Sequence, residues 1–317
     1  MSRPLVAITG ATGFIGSAVL AEVRRRGAAV RHIGRRPAAG PRHADYQWFP
    51  ADLEQPETLR GACGGATALV HLASYIGPDP GRCQRVNEEG GDALAAEAAR
   101  CLVPRLVHLS TAAVYGRGPH HGIDVDEVPP EPVSPASRSR LAGEAAFRRA
   151  GATVLRPGLV LGPGDCWVVP ALAELAARVP ARWDGGDHRL SVVAVHDLAR
   201  LIAEVALRDG ALPGVHHASH PTALRTGELM DALAGHGLVP PLREDWDWDT
   251  CVRRLHSSSG EVSERQFHLL AQDHWYRSDR IWAAARCPSG PHPLRRIAES
   301  ASWYRAHLAD RADRAPA

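Results

Sequence analysis

A glycine-rich segment near the N-terminus limits the possible folds of this chain more than any other part of the sequence. The apolar run Pro4–Thr9 leads directly into Gly10, Gly13 and Gly16, and a helix-like stretch follows. Glycines at these points allow a tight turn, close approach of a ligand to the backbone, and close packing of the helix on the strand. The first N–H groups of the helix then face the turn and favour a phosphate. We therefore predict a strand–turn–helix unit that binds the pyrophosphate of a dinucleotide. The predicted contact residues in this turn are Gly10, Thr12, Gly13, Phe14, Ile15 and Gly16.

The first half of the chain alternates short apolar runs with helix-like stretches. Strand-like runs rich in Val, Ile and Leu lie at 29–33, 46–50, 68–73, 105–110 and 153–155, and helical patterns at 14–26, 56–62 and 86–101. Strands that alternate with helices form βαβ units, which build a parallel sheet covered on both faces. We predict an α/β fold of the Rossmann type, with a doubly wound parallel sheet and a smaller C-terminal substrate lobe.

The pattern changes after residue 165 and predicts regions of different character. From about Pro213 onward Trp, His, Pro and Arg become frequent and sheet-forming runs become scarce. At 317 residues the chain is long enough for one large core with an appended lobe. The predicted division is a dinucleotide-binding core at 1–165 to which 190–212 returns, a substrate-binding lobe at 166–189 and 213–290, and a C-terminal helix and tail at 291–317.

Composition excludes several classes of partner. A formal net charge of +2 gives no basic surface for nucleic acid. No apolar run reaches the ~18 residues that a membrane span needs, and the N-terminus lacks a secretory pattern, so we expect a cytoplasmic protein with no membrane partner. The six cysteines form no Cys-x-x-Cys pair, which argues against a zinc site or a disulfide framework. We predict no metal, and the sequence leaves the oligomeric state open.

The end of the second strand bears on which dinucleotide binds. An acidic side chain there binds the adenosine ribose of NAD, whereas an arginine accommodates the 2′-phosphate of NADP. This sequence has Arg35 and Arg36, whose forked donors match phosphate geometry. We therefore predict NADPH or NADP as the cofactor. The further predicted lining residues, after the third and fourth strands, are Asp52, Leu53, Leu72, Ala73 and Ser74.

Taken together, these segments resemble the extended and atypical short-chain dehydrogenases/reductases over most of the chain. The resemblance implies an NADPH-dependent oxidoreductase in which Pro157, Gly158, Leu159 and Val160 hold the nicotinamide. It also implies that Thr111 binds the substrate oxygen. The matching segments are Thr9–Gly16, Asp52-Leu53, His71–Ser74, Ser110–Gly116, Ser134–Glu144, Leu155–Gly164, His196–Leu198 and Trp303–Arg305.

The sequence departs from this family at the acid–base pair. The family carries Tyr-x-x-x-Lys within a stretch like Ser-Pro-Tyr-x-x-Ser-Lys-x-x-Gly-Glu, and the flanks align here without a gap. Ala136 stands at the tyrosine position and Arg140 at the lysine position, and the chain has 37 arginines and no lysine. An alanine methyl donates no proton. Arg140 is still predicted to bind the cofactor ribose, but an arginine effectively never deprotonates.

Three routes to function remain open without the pair. A displaced residue could act as the acid, the candidates being Tyr75, Tyr115, His120 and His121, although Tyr115 normally packs in this family. The protein could instead bind NADP without turnover, as a sensor. Finally, the substrate could supply the proton, which suits an aromatic ketone with a neighbouring phenol. Thr111 and Ser110 would then only orient the carbonyl.

The third route is the leading hypothesis from the sequence. It predicts a ketoreductase for a small-molecule substrate, a polycyclic aromatic polyketide of the angucyclinone type. A nucleotide-sugar ketoreductase or epimerase is the alternative within enzymes, but an epimerase needs the missing base. Aromatic residues of the second lobe either pack its core or form a flat wall for a planar ligand. These residues are Trp167, Trp183, Trp246, Trp248 and Trp275.

Overall fold

The computed structural model describes residues 3–38 and 44–314. The strands in these ranges, in chain order, are β1 Leu5–Thr9, β2 Ala29–Gly34, β3 Tyr46–Pro50, β4 Ala68–His71, β5 Leu106–Leu109, β6 His120–Ile123, β7 Thr153–Arg156, β8 Leu159–Leu161, β9 Arg182–Trp183, β10 Arg189–Leu190, β11 Val192–Ala194, β12 Gly214–His217, β13 Leu224–Arg225, β14 Asp245–Trp246 and β15 His274–Tyr276. The helices are α1 Phe14–Arg25, α2 Pro80–Cys83, α3 Gly90–Arg100, α4 Pro135–Arg149, α5 Val168–Arg178, α6 Val195–Leu207, α7 Thr226–Gly235, α8 Trp248–His256, α9 Glu264–Ala271, α10 Asp279–Ala285 and α11 Pro293–Arg314. A π-helical stretch, Gln84–Glu89, joins α2 to α3.

The central sheet has seven parallel strands in the order β12-β7-β5-β4-β1-β2-β3. The chain starts in the middle of the sheet, builds outward through β2 and β3, then returns to place β4 on the other side of β1. This reversal opens a crevice at the carboxyl ends of β1 and β4, which is where open α/β sheets bind ligands. The predicted Rossmann-type fold is confirmed.

Both faces of the sheet are buried under helices, because successive strand residues point to opposite sides. Val6 and Ile8 of β1 pack with α1, α6 and α10 in one apolar cluster. Ala7 lies in a second cluster, with Leu94 of α3 and Phe147 of α4. This two-sided burial explains why the strands read as nearly continuous apolar runs.

The smaller lobe has its own apolar core, built from α5, α7, α8, α9 and α11. Trp183 is fully buried there and meets the ring of Phe267 edge-on at 5.1 Å, while Trp248 stacks on the same ring at 4.8 Å. These two tryptophans therefore pack the lobe. Trp167, in contrast, is 58% exposed in the loop before α5. Of the helices described, none has the length and apolar character to cross a bilayer.

The predicted boundaries between core and lobe need three corrections. Residues 214–217, assigned to the lobe, form the edge strand β12, with Val215 beside Val154 of β7. The α10 residues Ile281 and Trp282, also assigned to the lobe, pack in the cluster under α6. Conversely, β6 was placed in the core but pairs with β15 in a small sheet of order β13-β10-β15-β6.

Two local predictions also change. The stretch 56–62 forms only a short 3-10 turn, Pro56–Leu59. The segment predicted as a C-terminal helix and tail at 291–317 is helical as far as Arg314, and its last three residues lie outside the described part of the chain.

Tyr304 of α11 links the C-terminal helix to the loop after β8 and generates a stability prediction. Its buried hydroxyl accepts from Gly162 N at 2.7 Å and donates to Asp165 Oδ2 at 3.0 Å. Tyr304→Phe leaves both partners short of a bond, so we expect a loss of about 1–3 kcal/mol in the free energy of unfolding, measured by urea denaturation. Arg305→Ala, on the exposed side of the same helix, is the control and should change stability by less than about 0.5 kcal/mol. A Tyr304→Phe value within that range would contradict the assigned role.

Candidate active site

Gly10, Gly13 and Gly16 each require or use glycine for a different structural reason. Gly10 has φ of 71°, and a Cβ there would lie 2.6 Å from the backbone N of Ala73. A Cβ at Gly16 would lie 1.9 Å from Gly10 O. Both glycines are therefore needed for α1 to pack against β1 and the loop after β4. A Cβ at Gly13, which caps α1, would meet only Gly10 O at 3.4 Å, so Gly13 leaves open space in which a ligand can approach the backbone.

A cavity of about 210 Å³ opens beside this turn and brings together many of the predicted cofactor residues. Arg35 and Arg36 lie on its rim, both exposed, and their side chains make no ion pair within the described ranges. The open space at Gly13 together with these two cations fits a dinucleotide phosphate. The predicted residues that line the cavity are Gly10, Thr12, Arg35, Arg36, Asp52, Leu53, Ala73 and Ser74.

Three other predicted contacts lie beneath the turn. Phe14, Ile15 and Leu72 are partly buried and pack against the apolar cluster under α1. Their side chains therefore support the cofactor turn from below. The N–H groups of the first helical turn, Phe14 and Ile15 included, remain the groups that a phosphate would meet.

The loop after β4 is fixed by a buried hydrogen bond that the sequence did not reveal. Thr9 Oγ1 accepts from the N–H groups of Leu72 and Ala73 at 3.2 and 3.4 Å. Its proton therefore goes to His71 Nδ1, 2.6 Å away. Burial, with a smaller contribution from the nearby charge of Arg140, lowers the pKa of His71 to about 4. His71 is thus a neutral acceptor that holds Thr9 and the cofactor loop in place.

Asn87 is a second residue that sequence analysis missed. It is buried in the π-helical stretch, where Oδ1 accepts from Tyr75 N and Nδ2 donates to Tyr75 O, both at 2.7 Å. Nδ2 also donates to Ser139 Oγ of α4 at 2.9 Å. Asn87 therefore joins the cofactor loop to α4. The residue lies inside a helical pattern and carries no local signal for contacts this distant.

Helix α4 presents the altered acid–base positions. It begins at Ser134, whose side chain forms a capping box with Ser137. Ala136 lies in the first turn, and Arg140, one turn later, donates from Nη2 to Leu109 O at 3.1 Å and to Ser110 O at 2.5 Å. Burial lowers the pKa of Arg140 to about 10, so it stays charged at neutral pH. The end of β5 therefore meets a fixed cation, and a methyl group occupies the first turn of the same helix.

The two hydroxyl residues predicted to orient a carbonyl have different environments. Ser110 is wholly buried and its hydroxyl donates to Glu144. It cannot reach a ligand without rearrangement, so the prediction that Ser110 touches substrate is wrong for this arrangement. Thr111 is partly exposed, and its Oγ1 accepts from Ala113 N at 3.2 Å. This leaves the Thr111 proton free to donate to a substrate oxygen.

Two of the four candidate displaced acids, Tyr115 and His120, are buried in other contacts. Tyr115 is buried, and its hydroxyl is held by Arg156 Nη1 and His217 Nε2, each at 2.8 Å, so it packs as the sequence comparison implied. Tyr75 lines the cofactor cavity. Burial lowers the pKa of His120 to about 4. His121 is exposed on the lobe sheet, 3.6 Å from Asp273.

The segment implied to hold the nicotinamide lies beside Thr111. The carbonyl of Pro157 accepts from Ala112 N at 2.8 Å, and Gly158 N donates to Ser219 Oγ at 2.9 Å. A Cβ at Gly158 would lie 2.3 Å from Ser191 O, so only glycine fits. Leu159 and Val160 follow in β8, paired with β11. The segment is thus fixed from both sides next to the candidate reaction centre.

Comparison with known families identifies the class of protein. Residues 6–215 match the model of the NAD dependent epimerase/dehydratase family, and the chain belongs to this family. Reductases are among its relatives, and one of them matches most of the chain: 2-alkyl-3-oxoalkanoate reductase of Stenotrophomonas maltophilia is 30% identical over 84% of this chain and 84% of that protein.

Two further relatives are matched over shorter regions. Ceramide reductase of Caulobacter vibrioides is 34% identical over 56% of this chain, and the match spans only 53% of that protein. The 4-hydroxy-2-methyl-3-oxo-4-farnesyl-3,4-dihydroquinoline-1-oxide ketoreductase of Stigmatella aurantiaca is 28% identical over 59% of this chain and 60% of its own length.

Among solved structures, the enzyme WbmG of Bordetella bronchiseptica in complex with NAD has the same fold. It superposes with a TM-score of 0.76 at 19% identity, over 97% of this chain and 96% of that chain. With the family match and the reductase relatives, this supports an oxidoreductase that uses NAD or NADP.

The buried His71 gives a pH prediction. Its pKa is about 4 in the folded protein against about 6.5 in an unfolded chain, so between these values only the unfolded chain takes up the proton. The free energy of unfolding should therefore fall as the pH is lowered from 7 to 4. His71→Gln should make this fall shallower by up to about 1.4 kcal/mol per pH unit in urea titrations. The exposed His196→Gln is the control, and an equal slope for both variants would contradict the assignment.

Proposed function

We propose that this protein is an NADPH-dependent ketoreductase that reduces a carbonyl of a polycyclic aromatic polyketide, with the proton supplied by the substrate itself. The observation that carries the proposal is the start of α4, where Ala136 occupies the first turn and Arg140, one turn later, binds the carbonyls at the end of β5 in a cofactor-binding fold. Arg140 can bind the cofactor, but neither Ala136 nor Arg140 can donate a proton to the substrate at neutral pH.

The residues at hand divide into those that hold the cofactor and one that orients the carbonyl. NADPH, when bound, supplies the hydride. Gly13 and the first turn of α1 would take the pyrophosphate, and Arg35 with Arg36 the 2′-phosphate. Arg140 would hold the ribose hydroxyls from its fixed position. Thr111 would donate its free proton to the carbonyl oxygen and so set the orientation of the ketone.

The replacement of the family's acid–base tyrosine by Ala136 restricts the ketones that this site could reduce at a useful rate. General acid catalysis is worth about 10²–10⁴-fold, and Tyr115 and His120 are buried in other contacts. An aromatic ketone with a phenol in the peri position avoids this loss, since the phenol hydrogen-bonds the carbonyl and protonates the developing oxyanion. A sugar ketone has no such neighbouring acid, which makes a nucleotide-sugar ketoreductase the weaker hypothesis.

An apolar substrate agrees with the loops at the carboxyl edge of the sheet. Ile76, Val133 and Trp167 are 46%, 38% and 58% exposed, and they lie in the loops after β4, before α4 and after β8. The names of two relatives denote molecules with alkyl or farnesyl chains next to an oxo group. In its missing lysine and missing Tyr/Lys pair, this chain also resembles the angucyclinone 7-ketoreductase of simocyclinone biosynthesis, so an angucyclinone is the substrate class we propose.

A matched pair of ketones tests the proposed function. 8-Hydroxy-1-tetralone has the peri phenol, and 8-methoxy-1-tetralone has the same skeleton without the acidic proton. We expect the hydroxy ketone to be reduced by NADPH about 10²-fold faster or more, measured by NADPH consumption. Equal rates would contradict substrate-assisted protonation. No consumption with either ketone, with NADPH binding confirmed, would favour the cofactor-binding sensor.

Restoring the missing pair tests the mechanism from the protein side. Because the substrate already supplies the proton, Ala136→Tyr with Arg140→Lys should change turnover of the hydroxy ketone by less than about tenfold. Ala136→Phe with Arg140→Lys is the control for bulk without a hydroxyl. A tyrosine variant that exceeds the phenylalanine variant by about 10²–10⁴-fold would show that the reaction lacks an acid and would contradict the mechanism.

The two arginines after β2 decide the preferred cofactor. Arg35→Gln with Arg36→Gln should weaken NADPH binding at least about tenfold and leave NADH binding nearly unchanged, because only NADPH carries the 2′-phosphate. Calorimetric titration of both cofactors measures the difference. Arg148→Gln with Arg149→Gln, on the exposed end of α4, is the control. Equal losses for the two cofactors would remove the case for NADPH.

A further inference from the structure

A second cavity, of about 480 Å³, begins next to the candidate reaction centre. Its wall includes Ala113, whose N–H donates to Thr111 Oγ1 at 3.2 Å, and Ser137, which directly follows Ala136. The opposite wall comes from the lobe, through α9 and Gln272. Thr111 itself does not line this space, but Ala113 lies two residues after it, so a molecule whose carbonyl is at Thr111 would extend its body toward the cavity. We name this space the Thr111 cavity.

One side of the Thr111 cavity is a turn with a fixed backbone. Gly116 has φ of 86°, and a Cβ there would lie 2.3 Å from Glu131 O. Gly118 has φ of 77°, and its Cβ would lie 3.0 Å from His274 Nε2. The buried His274 ring also holds the carbonyl of Arg117, with Nε2 2.8 Å from the oxygen. The turn thus presents the exposed Arg117 side chain from a rigid base.

The other side of the cavity carries a second arginine in an unfavourable position. Arg265 lies in the first turn of α9, where the helix dipole disfavours a cation. The carboxylate of the neighbouring Glu264 lies 2.9 Å from His256 Nε2 and 3.7 Å from His268 Nε2, so it contacts these two rings. Within the described ranges the side chains of Arg117 and Arg265 make no ion pair or hydrogen bond.

The cavity wall combines apolar and polar side chains. Ala113, Val133 and Leu269 are its apolar members, and Val133 is 38% exposed. The polar members besides the two arginines are Ser137, Ser263, Glu264, His268 and Gln272. The apolar side chains, together with two guanidinium groups that have no ion pair within the described ranges, suit a ligand with an apolar body and an anionic oxygen, since guanidinium pairs strongly with carboxylate and similar anions.

We infer that the Thr111 cavity binds the body of the substrate and that this substrate is an apolar organic acid, whose ionised carboxylate or phenolate is held by Arg117 and Arg265. The inference rests on the proposed function for the position of the carbonyl, and it adds the substrate's charge. It also assigns two residues from distant segments, one in the core and one in the lobe, to substrate binding.

A binding measurement tests this inference without hydride transfer. The whole protein, saturated with NADP so that Arg35 and Arg36 are covered, is titrated calorimetrically with 2-naphthoate and with its neutral counterpart 2-naphthamide. We expect naphthoate to bind about tenfold more tightly. Arg117→Gln with Arg265→Gln should abolish this preference, while Arg148→Gln with Arg149→Gln, an exposed arginine pair outside the cavity, should retain it.

The inference is overturned by equal affinity for the two compounds, by no binding of either, or by a preference that survives in the Arg117→Gln, Arg265→Gln variant. These outcomes are separate from those of the tetralone assay. Arginine-dependent naphthoate binding without ketone reduction would support the cavity and count against the proposed reaction. Ketone reduction without a naphthoate preference would support the reaction and remove the acidic substrate.

Discussion

Glu144 and Arg156 form a buried ion pair that fixes α4 against β7, the strand next to the edge strand β12. Arg156 at the end of β7 donates to both carboxylate oxygens of Glu144, at 2.9 and 2.6 Å, and both side chains are almost fully buried. Ser110 and Tyr115 complete the hydrogen bonding. Removing one partner of such a pair costs about 3–5 kcal/mol, because the other charge remains buried. The position of every α4 residue at the candidate site depends on this contact.

This arrangement explains how the fold tolerates the loss of the acid–base pair. Arg140 and Ala136 lie on α4, but the helix is held by Glu144, Ser139 and the capping box at Ser134. Ala136 takes no part in these contacts, and Arg140 adds hydrogen bonds from α4 to the end of β5, so the helix stays in place without the family's tyrosine and lysine. Arg140 keeps a cation at the end of β5, and only the proton donor is missing. A substrate with its own acidic group would supply the proton that Ala136 cannot.

The parts of the fold that could be predicted from sequence are those with local signals. Apolar runs, and the spacing of Gly10, Gly13 and Gly16 after an apolar run, indicate the strands and the cofactor turn, because these patterns can be seen within a few neighbouring residues. The remainder depends on distant contacts. Strand β12 carries few apolar residues and is defined by its pairing with β7. The role of Asn87 comes from a bond to Ser139, and the hydroxyl of Ser110 is taken by Glu144, 34 residues away.

Deuterium transfer from the cofactor is the direct test of whether a hydride reaches the ketone at a site without its own proton donor. The protein is mixed with a peri-hydroxylated angucyclinone and NADPH that carries deuterium at both C4 positions, and the product is analysed by mass spectrometry. We expect one deuterium on the carbinol carbon despite Ala136 and Arg140. Unlabelled ketone, with NADPH binding confirmed in the same sample, would contradict this expectation.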